Sequence, residues 1–367
     1  MSMSRLQYIE NGRISDADSR AFDIVRLAAN YMIVLMHSWA ASQYCAEGSI
    51  EFNIWNFICN SFSAAAMPAL FLMSGYLLMS NFSPQMAIGK LKRRVKRLLV
   101  PLIAWNLFFV VFYLIAARFI PRISARVESF NLNTVGGIVN KIIGLVDRPL
   151  DAPLWYLKTV FIYSLFAIPI WWLLRKKKAY LLYLLAVVSL VLSVCTPLGH
   201  PMKYSFPAYS IFAFIIGCHL GHSGASVLRL FENKIWLICP LFGSTIVFKW
   251  LVSSGGNYAI WRDVGFLLMQ PLLFTMGSWL VKICANCRFY PFAIKSSFFV
   301  YAGHFFFCSI MLHTFAPKIL GAFGNGFGVL TGLIIFFCTI GLSATLLAYK
   351  IGKMSMGRWF GIWDGSL

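Results

Sequence analysis

Long apolar stretches, separated by short polar segments, dominate the sequence. Several of them reach the roughly 18 apolar residues that an α-helix needs to cross a bilayer, and they follow one another along the chain. We therefore predict an all-α fold, a polytopic integral membrane bundle of about ten transmembrane helices. The predicted spans are residues 21–42, 54–80, 98–117, 154–174, 179–197, 205–221, 234–253, 263–284, 297–316 and 328–349.

Basic residues between the spans predict the orientation of the bundle. The two strongest basic runs, residues 90–97 and 175–178, fall on one side of the membrane, and positively charged loops favour the cytoplasm. Residues 118–153 form a long extracytoplasmic loop, in which residues 135–146 could lie along the interface as a short helix. The predicted division is a cytoplasmic segment at 1–20, a transmembrane domain at 21–350 and a cytoplasmic tail at 351–367, with both termini cytoplasmic.

Composition narrows the classes of function. Hydrophobic residues make up 59% of the 367 residues and charged residues only 12%, about half the charged share of a soluble domain. The net charge is +20, but the basic residues lie in short loops and lack the aromatic and basic pattern of a nucleic-acid-binding module. The nine cysteines include a single Cys-x-x-Cys, at 284–287, without the second pair that a zinc site needs. We expect membrane lipid as a partner, and neither nucleic acid nor metal.

The first span carries two costly polar residues, Arg26 and His37. At about 100° per residue both side chains leave one helix face, about 16 Å apart along the axis. A charge inside a membrane is expensive unless it faces a cavity or a partner. We interpret Arg26 as a binding residue for an anionic group and His37 as a general base, because imidazole titrates near neutral pH. Two alternatives stay open: Arg26 could pair with Asp23, and His37 could bond a neighbouring helix.

Arg93, Arg94 and Arg97 lie within about one turn at the cytoplasmic entrance of the third span. Clustered guanidinium groups match the geometry of phosphate oxygens, so we predict a phosphate-binding site there. The alternative is a charge cluster that only orients the protein in the membrane.

Tyr301 and His304 are three positions apart and share a face of the ninth span. We predict that both are catalytic; the alternative for His304 is a hydrogen bond to a neighbouring helix. Trp155 and Lys158, at the outer end of the fourth span, are candidates for a substrate-binding vestibule on the outer side. Lys158 could instead extend its ammonium group to the outer interface.

Together these motifs resemble the membrane acyltransferase 3 family. Arg26 and His37, with ten residues between them, resemble the signature of its first span. The sequence FLMSGYLL at 71–78 is similar to its Ser-Gly motif and offers a small-residue patch for close helix packing. Three further motifs follow in the family's order: Arg94 to Arg97 resembles its Arg-x-x-Arg, Leu-Trp-Tyr-Leu at 154–157 its Leu-Trp-Tyr/Phe-Leu, and Tyr301 to His304 its Tyr-x-x-His. Each motif alone is weak, but five in order over nearly the whole chain are specific.

The resemblance implies an integral membrane O-acetyltransferase of the bacterial cytoplasmic membrane, with residues 21–350 as its acyltransferase domain. It implies cytoplasmic acetyl-CoA as the acyl donor, and as the acceptor a carbohydrate hydroxyl on a surface polysaccharide, a lipid-linked glycan or a glycoside. Some members carry an extracytoplasmic hydrolase-like domain that completes the transfer. The sequence up to Leu367 contains none, so we expect this chain to transfer the acyl group itself or to pass it to a separate protein.

These features predict a mechanism. The phosphates of acetyl-CoA meet the three clustered arginines, the pantetheine arm follows the Arg26–His37 face, and His37 removes the proton of a sugar hydroxyl. Tyr301 or His304 donates a hydrogen bond to the developing oxyanion, and an acetyl-histidine intermediate stays open. One alternative is a secondary transporter for a sugar or anionic metabolite, although the predicted spans hold no carboxylate beyond their edges. Another is a non-catalytic partner in an envelope complex.

Overall fold

Every regular element in the described part of the chain is helical. The computed structural model describes residues 16–39, 49–119, 121–144, 146, 148–195, 207–227, 230, 267, 269–284, 287–324 and 328–366. The α-helices, numbered along these residues, are α1 (Asp16–Ser38), α2 (Ile50–Asn56), α3 (Ala66–Met79), α4 (Ala87–Arg94), α5 (Val100–Ala116), α6 (Pro121–Ser129), α7 (Val135–Ile143), α8 (Trp155–Leu165), α9 (Ala167–Arg175), α10 (Ala179–Cys195), α11 (Ala208–Ser223), α12 (Gln270–Cys284), α13 (Tyr290–Phe323), α14 (Val329–Met356) and α15 (Gly361–Asp364).

Described helices overlap nine of the ten predicted spans, and the span at 234–253 lies outside the described residues. Within the described chain, two helices are long and apolar enough to cross a bilayer: Pro84–Ala116, of 33 residues, and α14, of 28 residues. The first joins α4 to α5 through the π-helical turn Val95–Leu99. Helices α8 and α9 meet at a bend of 55° and would together form a third. The apolar helices fit a membrane protein, while the count of ten spans and the cytoplasmic termini stay predictions.

The chain divides into two compact units. The first comprises residues 1–36, 57–90 and 165–297, and the second comprises 37–56, 91–164 and 298–367. Helix α1 passes from one unit to the other at residue 37. Arg26 therefore belongs to the first unit and His37 to the second, although one helix carries both.

Close contact between α3 and α11 organises the first unit. A Cβ atom on Gly75 would collide with the Phe214 carbonyl, and one on Gly217 would collide with the Leu72 carbonyl. Small residues allow membrane helices to bring their backbones together in this way. The small-residue patch in the second predicted span therefore packs as the sequence predicts.

Helix α5 packs against α6, α7 and α15 in the second unit. The Trp105 indole of α5 donates to the Trp363 carbonyl at 3.1 Å, and the Trp363 ring lies 5.4 Å from the Trp105 ring. Helix α7 is the short helix expected in the long loop: the Thr134 hydroxyl accepts from the Gly137 amide at its start, and Gly144 ends it with φ 72°. Because α7 lies against α5, the long loop folds back onto its own unit.

Candidate active site

Two histidines of the second unit lie side by side. His37 is in the last turn of α1, His304 is in α13, and their ring centroids are 5.3 Å apart. His304 is fully buried, whereas His37 is half-buried. The Phe305 ring packs edge-on against His37, also at 5.3 Å. The structure thus brings together two predicted site residues that lie far apart in the sequence.

The backbone determines which ring nitrogen of His304 carries the proton. Nδ1 lies 2.8 Å from the Tyr301 carbonyl oxygen and 3.0 Å from the Val300 carbonyl oxygen. Carbonyl oxygens only accept hydrogen bonds, so this network assigns the hydrogen to Nδ1 and makes Nε2 an acceptor in the neutral ring. Nε2 is buried and has no hydrogen-bond partner among the described residues. It can accept an N–H of His37 and leave the other nitrogen of His37 ready to take a proton.

Tyr301 lies one turn before His304 in α13 and is buried. Its hydroxyl donates to the Pro153 carbonyl, and the Tyr156 ring packs with its centroid 6.2 Å away. The hydroxyl hydrogen of Tyr301 is therefore used in holding the end of the long loop. The oxyanion role that the sequence offers for Tyr301 stays a prediction, and it requires this hydroxyl to change partner.

The end of the long loop enters the interior of the second unit. We call residues 150–154 the buried segment. The Asp151 amide donates to Asn106 Oδ1 of α5 at 2.7 Å, and both residues are fully buried. Together with the bond from Tyr301 to Pro153, this contact ties the buried segment to α5 and α13. A loop expected outside the membrane thus brings a polar backbone and an acid next to the histidine-bearing helix.

Asp151 is the residue of this site that sequence reasoning missed. Its side chain is fully buried, and neither carboxylate oxygen has a hydrogen-bond partner within the described residues. Buried polar groups nearly always have partners, so an exception asks for an explanation. In the sequence, Asp151 is one of several acids in a long outer loop. The signal that could have identified it is its position three residues before the Leu-Trp-Tyr-Leu motif.

Trp155 and Lys158 lie in the first turn of α8, directly after the buried segment. Lys158 is buried, and its ammonium group donates to the carbonyl of Gly144, the residue that ends α7. It therefore anchors the long loop instead of extending to an interface. Trp155 is half-buried. The proposed part of these two residues in acceptor binding stays a prediction.

The three predicted phosphate-binding arginines occupy the junction of α4 with the π-helical turn. Arg93 and Arg97 are exposed, while Arg94 is half-buried and donates to the Ser164 hydroxyl at 2.9 Å. Ser164 in turn donates to the Val160 carbonyl one turn earlier in α8. The cluster thus combines one anchored guanidinium with two exposed ones, and the exposed pair suits an anionic ligand that comes from solution.

Arg26, in the first unit, pairs with Asp23, which is the alternative that the sequence leaves open. Its guanidinium lies 3.2 Å from Asp23 Oδ1, and the two side chains are 38% and 35% exposed. An ion pair this exposed contributes little to stability. The predicted role of Arg26 in binding the acyl donor is untouched by this contact and stays a prediction.

Two further polar contacts surround the histidine pair. Ser38, which follows His37, is buried, and the Cys338 thiol lies 3.1 Å from its hydroxyl. Arg148, near the end of the long loop, is close enough to His37 for their charges to interact. Across the described parts of the chain, no group of three or more His, Cys, Asp or Glu side chains is placed to hold a metal ion.

A comparison with protein families identifies the class of this protein. A family model described as an acyltransferase domain matches residues 19–349, and the chain belongs to the acyltransferase 3 family. No curated protein and no solved structure matches it. The family indicates acyltransferase activity in general and gives no support to the transporter alternative.

Proposed function

We propose that this chain is an O-acetyltransferase of the bacterial cytoplasmic membrane. It transfers acetyl from cytoplasmic acetyl-CoA to a hydroxyl of a surface polysaccharide, a lipid-linked glycan or a glycoside. The observation that carries the proposal is the pair of His37, half-buried, and His304, whose Nε2 is buried without a partner among the described residues. A hydroxyl is a weak nucleophile until a base removes its proton, and an oriented imidazole is suited to that task.

His37 is the general base, and His304 is its positioning residue. Burial supports these roles, because residue His37 is half-buried whereas His304 is fully buried, so a substrate can reach His37 more readily. The Tyr301 and Val300 carbonyls hold His304 Nδ1–H, so His304 Nε2 can accept the N–H of His37. Hydrogen bonds of this kind are often loose in unliganded enzymes and shorten when substrate binds.

The transfer balances without a further reactant. The acceptor oxygen forms a bond to the thioester carbonyl carbon while His37 takes the hydroxyl proton. The tetrahedral intermediate then breaks its carbon–sulfur bond and expels the thiolate of coenzyme A. The proton on His37 passes to that sulfur, so the products are the acetyl ester and coenzyme A. General-base assistance of this kind contributes about 10²–10⁴ in rate.

The exposed Arg93 and Arg97 support the donor part of the proposal. Guanidinium groups bind phosphate oxygens through paired hydrogen bonds, and the phosphates of acetyl-CoA are the charged part of the donor. The bond between Arg94 and Ser164 fixes the middle of the cluster to α8. Arg26 is the fourth proposed donor-binding residue. Trp155 and Lys158, after the buried segment, are the proposed acceptor-side residues.

The test is acetyl transfer by the purified protein in lipid nanodiscs, with radiolabelled acetyl-CoA and a glycan extract of native membranes. Replacing His37 by Ala should lower the transfer rate about 10³-fold, with unchanged thermal unfolding. His222→Ala is the matched control, because His222 is also half-buried in the last turn of its helix, α11. It should retain the full rate.

Two results would contradict the proposal in different ways. If His37→Ala turned over at nearly the normal rate, His37 would have no part in the chemistry. If the unaltered protein transferred no acetyl group to any glycan in the extract, the proposed donor or acceptor class would be wrong. The family membership would stand in either case.

A further inference from the structure

The carboxyl group of Asp151 is buried and has no partner among the described residues. The residue is 0% exposed, and neither of its carboxylate oxygens has a hydrogen bond to a described residue. Burying such a group without a partner costs several kcal/mol if it is charged, and still costs free energy if it is neutral. Stability alone does not explain an acid at this position.

The backbone around Asp151 is held firmly. Its amide donates to Asn106 Oδ1, and Asn106 Nδ2 donates to the Leu102 carbonyl at 2.8 Å, so both ends of the Asn106 amide are bonded. Two residues further on, the Pro153 carbonyl accepts the Tyr301 hydroxyl. The Asp151 carboxyl is therefore carried by a fixed backbone, so it is already positioned before a ligand binds.

The same contacts connect Asp151 to the histidine pair. Tyr301 lies one helical turn before His304, and its backbone carbonyl accepts the hydrogen of His304 Nδ1. Asp151 is also close enough to Tyr301 for an electrostatic interaction between the two side chains. The described part of this unit holds two groups with unpartnered buried atoms, the Asp151 carboxyl and His304 Nε2. Both belong to residues that interact with Tyr301, Asp151 with its side chain and His304 with its backbone carbonyl.

We infer that Asp151 binds a second hydroxyl of the acceptor, other than the one that is acetylated. This inference rests on the proposed function and adds a specificity-determining residue to it. A carbohydrate presents several hydroxyl groups on one rigid ring or on neighbouring rings, so one can be held while another reacts. Binding energy from a remote hydroxyl of this kind places the reacting oxygen at the base.

Asp151 has the chemistry for this task. Burial raises the pKa of its carboxyl well above the ordinary value, which favours the neutral acid. A neutral carboxyl offers one O–H donor and one carbonyl acceptor. A sugar hydroxyl also donates and accepts one hydrogen bond or more, so the two groups satisfy each other completely. Asparagine keeps one donor and one acceptor site in nearly the same shape, and alanine keeps neither.

The experiment compares two nucleophiles with radiolabelled acetyl-CoA and the full-length protein in nanodiscs. One is the glycan extract of native membranes. The other is hydroxylamine, which accepts an acetyl group but has no second hydroxyl to bind; its transfer rate is the rate with protein minus the spontaneous rate without protein. Asp151→Ala should lower the ratio of glycan transfer to hydroxylamine transfer by about 10- to 100-fold, the effect of one lost buried hydrogen bond. Asp151→Asn should keep the ratio within about threefold of the original.

Glu128→Gln is the matched control, because Glu128 is an exposed acid of the same long loop; it should leave the ratio unchanged. An unchanged ratio in Asp151→Ala would overturn the inference. So would an equal loss of both reactions, because that pattern indicates a structural role. Failure of the proposed function looks different: the unaltered protein would then transfer no acetyl group to the glycan extract.

Discussion

Two pairs of buried polar residues, one pair in each unit of this chain, differ in their hydrogen bonding. In the first unit, Asp18 accepts the Ser226 hydroxyl at 2.8 Å, and Asn30 donates to the Ser297 carbonyl at 2.9 Å. In the second unit, His304 Nε2 and both oxygens of Asp151 are buried with no hydrogen bond to any described residue. Satisfied polar groups specify how helices fit together, whereas an unsatisfied buried group asks for an explanation, of which a catalytic role is one. This difference supports the proposed part of the second unit's histidine pair in the chemistry.

Among the comparisons between the two units, replacing His304 should give the largest effect. We expect His304→Phe to lower the maximal rate of acetyl transfer about 10²- to 10³-fold, with the KM for acetyl-CoA nearly constant, because the ring orients His37 and does not contact the donor. His304→Gln keeps an acceptor near Nε2 and should recover at least about tenfold of that loss. Steady-state kinetics in nanodiscs separates the maximal rate from the KM.

His219 is the matched residue of the first unit, where its Nδ1 lies 2.8 Å from the Tyr183 hydroxyl. His219→Phe should keep nearly the full rate. Equal losses at His219 and His304 would remove the contrast between the units. A loss at His304 that Gln does not relieve would assign His304 to packing.

The second effect concerns the close helix contact of the first unit. Gly75→Ala would drive a methyl group into the Phe214 carbonyl, and overpacking of this kind costs about 1–3 kcal/mol. Gly89→Ala is the control, because a Cβ atom added there would meet nothing within 4 Å, and alanine favours a helix by about 0.5–1 kcal/mol. Thermal unfolding in detergent should move down for Gly75→Ala and slightly up for Gly89→Ala. Equal shifts would mean that the α3–α11 contact does not limit stability.

The third effect concerns the exposed arginines. Arg97→Ala should raise the KM for acetyl-CoA about tenfold and leave the maximal rate nearly unchanged, since one lost charge-assisted bond is worth about 1.5–3 kcal/mol and solvent screening reduces it. Arg175→Ala, at an exposed arginine of the first unit whose guanidinium stacks 5.1 Å from the Trp171 ring, is the control. It should leave the KM unchanged. An equal rise in both variants would indicate general electrostatic attraction and no dedicated phosphate site.

Sequence patterns located the helices, both histidines of the pair and Tyr301, because helical periodicity and the cost of membrane polarity are local signals. The spacing of Tyr301 and His304 placed both on one face. Two features were not visible in the sequence pattern. The tautomer of His304 follows from contacts of Nδ1 with backbone carbonyls of its own helix. The burial of Asp151 follows from a tertiary contact, in which the loop folds inward to Asn106.

The sequence also did not show which partners the polar side chains bind. Arg94 looked equivalent to Arg93 and Arg97, yet only the fold brings Ser164 to it. Lys158 looked free to reach the interface, but α7 ends at a carbonyl that binds it. A linear pattern reports which residues share a helix face; it does not report which partner the next helix presents.

The smallest effect contrasts two acids of the second unit, Glu51 and Asp151. The Glu51 carboxylate accepts from the Gly328 amide at 2.9 Å and from the Thr331 amide and hydroxyl at 2.8 and 2.6 Å, so it caps the start of α14. Burial alone would raise the pKa of Glu51, but these hydrogen bonds outweigh it and hold the pKa below the ordinary 4.5. A lowered pKa means that the carboxylate stabilises the fold above pH 4.5, and that this contribution disappears as the pH falls through the folded-state pKa.

Glu51→Gln should therefore lower the free energy of unfolding at neutral pH by about 1 kcal/mol, the value of a lost helix cap, and the melting temperature by about 2 °C. Asp151→Asn should not lower it, because no described hydrogen bond is lost there. Melting curves at about pH 7 and about pH 4 make the comparison. The gap between Glu51→Gln and the unaltered protein should narrow at the lower pH, where the carboxylate begins to be protonated. A gap that stayed constant would show that packing, and not charge, joins Glu51 to α14, and an equal drop for Asp151→Asn would show that both acids are structural.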